Sequence, residues 1–490
     1  MQTTAQTTNQ DQSLKFGHKN LYIGGDLVPA SDNGSFDVIC PADETVVGSI
    51  SWATKADTLN ALDAAEVGFQ YWSSLSLSER LEWISKLRIK LLENATLLRE
   101  SIMYEMGKTW EGTEEDLTSI TNSLQFYAEA IQDIHPIDIP DKEGSHKHTI
   151  VQQPVGVVVA FLAYNFPLLN LGFKLGPALA AGCSIILKPS EFSPLSAYII
   201  GEICEQINFP KGVINIICGD VENVGIPLCE SKITKLVTMI GSTETAQKLI
   251  AQSSKTSIKR YSMECGGNAP FVVFDDADIP KAVADGSALK FGNTGQICVS
   301  PNRYFIHEEV IEDFTSQFVA KAKAVKIGFG KENAPTMGPM TNRQSVEKVK
   351  SIVDQAIAEG GELLYGGSPI EGAGYYFEPT VIVLKNPAAA VLQREVFGPI
   401  AIIVPFKSEE EVIAYANSTD AGLASYVYAQ DEEKLQRLME AFEFGEVHLN
   451  GFKFDIYLPH GGVKNSGISV DCSVYALDDY LIKKRVTQQL

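Results

Sequence analysis

Cys298 lies in GlyAsnThrGlyGlnIleCysValSer (292–300), at the end of a polar, glycine-bearing loop. A thiol does covalent work as its thiolate, which needs access and a lowered pKa, and such a loop can offer it backbone N–H groups. A lone cysteine is, by itself, more often a small buried hydrophobe. Glu264, in MetGluCysGlyGlyAsnAlaPro (263–270), is a carboxylate among apolar and small residues. That setting suits a general base, and equally a salt-bridged glutamate at a strand end. Asn165, in AlaTyrAsnPhePro (163–167), carries an amide that can donate to a developing oxyanion or cap the next helix.

Two further segments have the chemistry of a dinucleotide site. A G-x-G-x-x-G fingerprint is absent, but MetIleGlySerThrGluThrAla (239–246) has the matching context of strand, Gly241, then helix. Gly241 and Ser242 would let a pyrophosphate approach the free N–H groups of that helix. The plainer reading is a tight turn. LysProSerGlu (188–191) follows an apolar strand, where an adenosine ribose would sit, and a carboxylate such as Glu191 can accept from ribose hydroxyls. Pro189 would equally shape a surface turn there.

The elements that must hold these groups are legible in the periodicity. From Lys55 to Met106 apolar residues recur at helical spacing, which predicts two or three amphipathic helices, with Ser78 as a cap. From Val151 apolar strands at Val155–Ala163, Ser184–Leu187, Val213–Ile217, Lys235–Ile240 and Ser257–Met263 alternate with helices near 168–181, 194–207, 221–229 and 244–253. This α/β alternation predicts a parallel sheet covered on both faces, with ligands beyond the carboxyl ends of its strands. A second α/β series follows from Pro270 to about Val447, with strands at 271–274, 303–307, 401–405 and 425–429. Residues 1–20, rich in Gln and Thr, read as a loose polar arm.

Composition narrows the classes. A chain of 490 residues implies two or three domains. Its 61 acidic residues against 40 Lys and Arg argue against nucleic acid or an anionic membrane as partner. The eight cysteines are scattered, with no CxxC pair and no zinc-ligand spacing, so no metal is expected and the thiols read as free in a reducing compartment. No signal peptide is visible, and the longest apolar run, 155–163, is too short to span a bilayer. A cytoplasmic setting is expected.

Taken together and in order, Asn165, Lys188, Glu191, Gly241, Glu264, Cys298 and Glu395, the last in ArgGluValPheGlyPro (394–399), resemble the aldehyde dehydrogenase superfamily. The resemblance runs from about residue 20 to 485. It includes MetGlyLys (106–108), LysLeuGlyProAlaLeuAlaAlaGly (174–182), ProHisGlyGlyValLysAsnSerGly (459–467) and the 34-residue step from Glu264 to Cys298. It implies a Rossmann-like parallel-sheet cofactor domain (21–130 and 152–266), a second α/β catalytic domain (267–466) and a small β flap for oligomerisation (131–151 and 472–490). It implies Cys298 as nucleophile, Asn165 as oxyanion donor, Glu264 as the base for thioester hydrolysis, and a catalytic-site place for Lys174. Lys188, Ser190 and Glu191 match the adenosine-ribose site, Gly241 and Ser242 the pyrophosphate turn, and Glu395 and Phe397 the nicotinamide ribose. NAD is the expected cofactor, because Glu191 would repel a 2′-phosphate, with NADP use open through Lys188 and Ser190.

By the same resemblance Tyr164, Val299, Ser300 and Asp455 line the substrate funnel, and the aldehyde is small, polar and aliphatic. The central run 188–194 is similar to lactaldehyde and succinate-semialdehyde dehydrogenases, and the run 459–480 to aminobutyraldehyde types. Tyr164 stands where the family usually has Trp, Ala246 at the usual last Gly of the pyrophosphate turn, and Asp471 at a usual Glu. Assembly as a homodimer or homotetramer is implied, with strands near 148–153 and 485–490 extending a neighbour's sheet. Two rival activities remain. A CoA-acylating semialdehyde dehydrogenase would lack a base such as Glu264. A thiol hydrolase would pair Cys298 with His307, nine positions on, with no third orienting group apparent.

Overall fold

The computed structural model describes residues 14–490. Three amphipathic helices, Lys55–Ser74, Leu77–Glu93 and Ala95–Met106, occupy the early helical stretch. Their starts are set by capping boxes. Thr54 caps the first with Asp57, and Ser76, not Ser78, caps the second. The Ser-x-x-Glu spacing decides this. Ser76 Oγ accepts from Glu79 N at 3.3 Å while the Glu79 carboxylate accepts from Ser76 N at 2.8 Å. The stretch near 221–229 is not one regular helix. It splits into a π-turn, Val221–Gly225, and a short helix, Ile226–Glu230, in which Pro227 lacks a backbone donor.

The chain builds one eight-stranded and one seven-stranded sheet. In the first, Arg260–Cys265, Thr234–Gly241, Val157–Phe161, Ser184–Lys188 and Ile214–Ile216 run parallel in that spatial order. Their side chains are almost all buried, as a sheet covered on both faces requires. Register then does chemical work. Phe161 lies beside Lys188 and Met239, Ile240 beside Glu264, and Gly241 beside Cys265. The carboxyl ends of four strands therefore share one edge, where open α/β sheets bind ligands.

The second sheet has the order Glu362–Tyr365, Thr380–Val383, Ile400–Phe406, Pro301–His307, Ala269–Val273, Ala424–Tyr428 and Glu446–Leu449, parallel except at its first strand. The chain passes from the end of Arg260–Cys265 straight into Ala269–Val273, whose neighbour Pro301–His307 begins just after Cys298. Amino ends of the second sheet thus meet carboxyl ends of the first, and the seam between them is where Glu264 and Cys298 converge.

A third sheet of three antiparallel strands, Leu481–Gln489, His146–Pro154 and Ile137–Ile139, lies apart from both. Here the two segments expected to extend a neighbour's sheet pair with each other within the chain, Lys484 beside Val151 and Gln488 beside Lys147. Phe16 is buried and His18–Lys19 pairs in parallel with Ser49 and Ile50, so residues 16–19 are tied to the fold rather than part of a loose arm. The earlier arm residues lie outside the described range. Among the described residues no helix is long and apolar enough to cross a membrane.

Candidate active site

A cleft of about 1530 Å³ opens along the seam, and Asn165, Tyr164, Glu264, Cys298, Val299 and Asp455 all line it. The Cys298 loop is held by backbone geometry that few side chains tolerate. Asn293 and Thr294 have φ of 45° and 59°, and a Cβ at Gly295 (φ 70°) would sit 2.1 Å from the Gly398 carbonyl. The approach of Glu264 to the thiol has a similar cause. A Cβ at Gly267 would lie 2.5 Å from the Cys298 carbonyl, and one at Gly266 equally close to the Glu395 carboxylate. The Gly266–Gly267 pair lets the end of the Glu264 strand and the thiol loop touch.

Asn165 is oriented from both ends. Its Nδ2 donates to Gln296 O at 3.0 Å, and its Oδ1 accepts from Asn170 Nδ2 at 3.3 Å. The amide keeps a second N–H for a negative oxygen beside Cys298. Glu264 is 4% exposed, and its Oε1 has only a loose contact, with His460 Nε2 at 3.5 Å, which leaves a buried acceptor for water.

His460 completes the group around the thiol. Its Nε2 is 3.9 Å from Cys298 Sγ and 3.5 Å from Glu264 Oε1, and its Nδ1 is 2.7 Å from Glu446 Oε1. Burial, and then the Glu264 charge, push the Cys298 thiol up to about 12, while hydrogen bonding to His460 opposes them. Burial alone would lower His460. Hydrogen bonds to Cys298, Glu264 and Glu446, with the Glu446 charge, hold it well above its usual 6.5. Glu446, despite burial, is brought down to about 2 by hydrogen bonds to His448 and His460.

The other end of the cleft has the donors and openings a dinucleotide needs. Lys188, Ser190 and Glu191 line it, with Lys188 Nζ 3.6 Å from Glu191 Oε2. Gly241 ends its strand just before the helix Thr243–Ser253, which Ser242 caps by accepting from Thr245 N at 3.2 Å. A Cβ at Gly241 would meet only Met239, at 3.7 Å, so open space lies in front of that helix terminus. The remaining N–H groups of its first turn can receive a pyrophosphate. Toward the thiol, Glu395 is half-buried and raised by its desolvation, and its Oε1 accepts from Gly267 N at 3.2 Å. Phe397, with φ of 48°, meets the Tyr164 ring edge-on at 6.0 Å. A nicotinamide dinucleotide fits this set of groups.

A sequence model of the aldehyde dehydrogenase family matches residues 28–486. The chain belongs to the aldehyde dehydrogenase family. It is similar to the mitochondrial succinate-semialdehyde dehydrogenase of Oryza sativa subsp. japonica, 36% identical over 465 residues, 95% of this chain and 88% of that one. The glutarate-semialdehyde dehydrogenase of Pseudomonas putida is 36% identical over 464 residues, 94% and 96% of the two chains. Among solved structures, the lactaldehyde dehydrogenase of Escherichia coli superposes with a TM-score of 0.94 at 31% identity, covering 97% of this chain and 100% of that one. This aldehyde dehydrogenase is an NAD(P)-dependent, non-acylating enzyme.

Two of the residues expected in the aldehyde dehydrogenase site, and the histidine a thiol hydrolase would use, stand elsewhere. Lys174 does not line the cleft. It is fully buried on the helix Pro167–Ala181, and its Nζ donates to both Asp471 carboxylate oxygens, at 2.6 and 2.7 Å. A buried ammonium needs such a partner, and the pair braces the loop that carries His460, whose backbone exchanges hydrogen bonds with Asp471. Ser300 turns away from the cleft, its Oγ donating to Leu289 O at 3.1 Å. His307 ends the strand Pro301–His307, at the far end from Cys298, and bonds Lys407 O. The imidazole that does face the thiol, His460, stood in ProHisGlyGly (459–462) without an assigned role, and nothing in GlyGluValHisLeu (445–449) marks Glu446.

Asp471→Asn leaves the Lys174 ammonium without its counter-charge. Chemical unfolding should show a loss of about 3–5 kcal/mol, and unchanged stability would mean that the pair contributes nothing to the fold.

Proposed function

We propose that the protein oxidises a small polar aliphatic aldehyde, a semialdehyde before a hydroxyaldehyde or aminoaldehyde, to the carboxylic acid with NAD(P) and water. The observation that carries this is the meeting of thiol, buried carboxylate and oriented amide in one cleft. Cys298 attacks the aldehyde carbon. The Cys298 N–H and the second N–H of Asn165 receive the oxyanion. A bound nicotinamide supplies the chemistry of hydride acceptance, which leaves a thioester on sulfur. Glu264 then draws a proton from water to release the acid. Lys188, Ser190 and Glu191 would hold the adenosine ribose, Gly241 and Ser242 the pyrophosphate, and Glu395 and Phe397 the nicotinamide ribose.

For the aldehyde, the named semialdehyde substrates of the two relatives support a substrate with a remote carboxylate. Of the lysines that line the cleft, Lys108 is tied to Asp116, while Lys188 and Lys348 lie toward the dinucleotide groups. Lys453, at the mouth with Asp455 and Tyr457, is the cation left for that carboxylate. The test is a panel of succinate semialdehyde, lactaldehyde and 4-aminobutyraldehyde, with reduced nicotinamide followed by absorbance. Highest kcat/KM on succinate semialdehyde without CoA supports the reading. Preference for the aminoaldehyde moves the substrate role to Asp455, and a strict need for CoA overturns the hydrolytic ending.

Glu191→Ala should raise the NADP-to-NAD ratio of kcat/KM by about tenfold, since it removes a carboxylate from beside the 2′ position. An unchanged ratio would assign selectivity elsewhere. The flap sheet supports assembly as a homodimer or homotetramer. Leu481–Gln489 is an edge strand whose Ile482 and Val486 are exposed, the kind of edge a second copy covers.

A further inference from the structure

We propose that His460 and Glu446 form the thiol-activating pair of this enzyme. His460 takes the Cys298 proton at Nε2, and Glu446, bonded at Nδ1, positions the ring and stabilises the imidazolium. The thiol and the ring share one proton, and its move to Nε2 breaks the S–H bond and forms the imidazolium that Glu446, bonded at Nδ1, stabilises. The sulfur electron pair forms the S–C bond to the aldehyde, and the carbonyl π pair moves onto oxygen. Glu264 is left to activate water in the later hydrolysis.

The charge arrangement favours this division. Cys298 Sγ, one His460 nitrogen and a Glu264 carboxylate oxygen all lie within 4.8 Å of one another. A thiolate beside Glu264 alone would place two negative charges side by side in a buried cleft, which is why burial and Glu264 both work against it. An imidazolium between them turns the thiolate into half of an ion pair. Glu446 begins the edge strand Glu446–Leu449, beside Ala424, and is 2.7 Å from the ring, so the orienting group is fixed by the second sheet. The other groups around the ring cannot do this work. His448 shares the second oxygen of Glu446 at 3.3 Å, the Asp471 carboxylate is engaged with Lys174, Cys472 is a buried thiol raised by its burial, and Phe173 packs a ring against the imidazole at 6.2 Å. The arrangement of thiol, imidazole and carboxylate is the order a nucleophile, its base and an orienting group require.

The proposal rests on Cys298 being the nucleophile, and its test is separable from that reading because it uses neither aldehyde nor cofactor. Seven cysteines are buried and Cys298 alone is partly exposed, so iodoacetamide labelling of the native enzyme reports this thiol, with Cys298→Ala as the blank. The labelling rate is followed against pH. In His460→Phe its midpoint should move up by at least about one pH unit, with about tenfold slower labelling at neutral pH, because the lost cation no longer favours the thiolate. Glu446→Gln should shift the midpoint in the same direction by less. A wild-type profile in His460→Phe overturns the proposal, and a wild-type profile in Glu446→Gln overturns the role of Glu446. Should His460→Phe lose NAD(P) binding and so its fold, His460→Gln, which keeps hydrogen bonding without charge, is judged by the same shift.

Discussion

Cys298→Ala is expected to lower aldehyde turnover by at least about four orders of magnitude while NAD(P) still binds. The sulfur lines the cleft with the Asn165 amide and lies within 4.8 Å of a Glu264 carboxylate oxygen, placed to form a covalent bond there. Without it the aldehyde must give up hydride from an uncharged carbonyl carbon, for which there is no hydride-donating adduct. The cofactor groups, from Lys188 to Phe397, do not depend on the thiol for their positions, so binding followed by nicotinamide fluorescence should be close to that of the wild type. Turnover within tenfold of wild type would remove Cys298 from the chemistry.

Glu264→Gln should separate the two halves of the reaction. The amide has the shape of the carboxylate but cannot take a proton, so the thioester should accumulate. Rapid mixing of enzyme, NAD(P) and aldehyde should show a burst of reduced cofactor close to one equivalent per site. A steady state slowed by about 10²–10⁴-fold should follow. The Oε1 of Glu264 argues for this role, since its contact with His460 Nε2, at 3.5 Å, is loose enough to leave the oxygen open to a water. An unchanged steady-state rate would show that another group activates the water. Loss of the burst together with the steady state would place Glu264 in the first half of the reaction, and would count against His460 as the sole thiol base.

Much of this was legible before any coordinates. Near-continuous apolar strands such as 155–163 and 184–187 cannot be exposed on either face, so they announce a parallel sheet. A parallel sheet in turn announces ligand chemistry at its carboxyl edge, which is where Lys188, Gly241 and Glu264 stand. Local rules were less exact at boundaries. Ser78 and Ser76 are both plausible caps by residue type, and only the reciprocal bonds with Glu79 choose between them. Lys174 and Ser300 sit in the right segments, yet one helix turn or one residue of loop decides which way a side chain points, and both point away from the cleft.

The sequence by itself determined the α/β class, the family, and the identity and order of Asn165, Glu264 and Cys298, because residue type and spacing along the chain carry that information. Tertiary structure alone decided that Lys174 serves Asp471, that the flap strands pair with each other, and that His460 and Glu446 arrive beside the thiol. The reason is distance along the chain. Glu446 and His460 come from the last strand of the second sheet and the loop beyond it, well over a hundred residues from Cys298. No local periodicity encodes which loops close over a seam between two sheets. Packing of those sheets does, and it brings a carboxylate and an imidazole to a sulfur that had no visible partner.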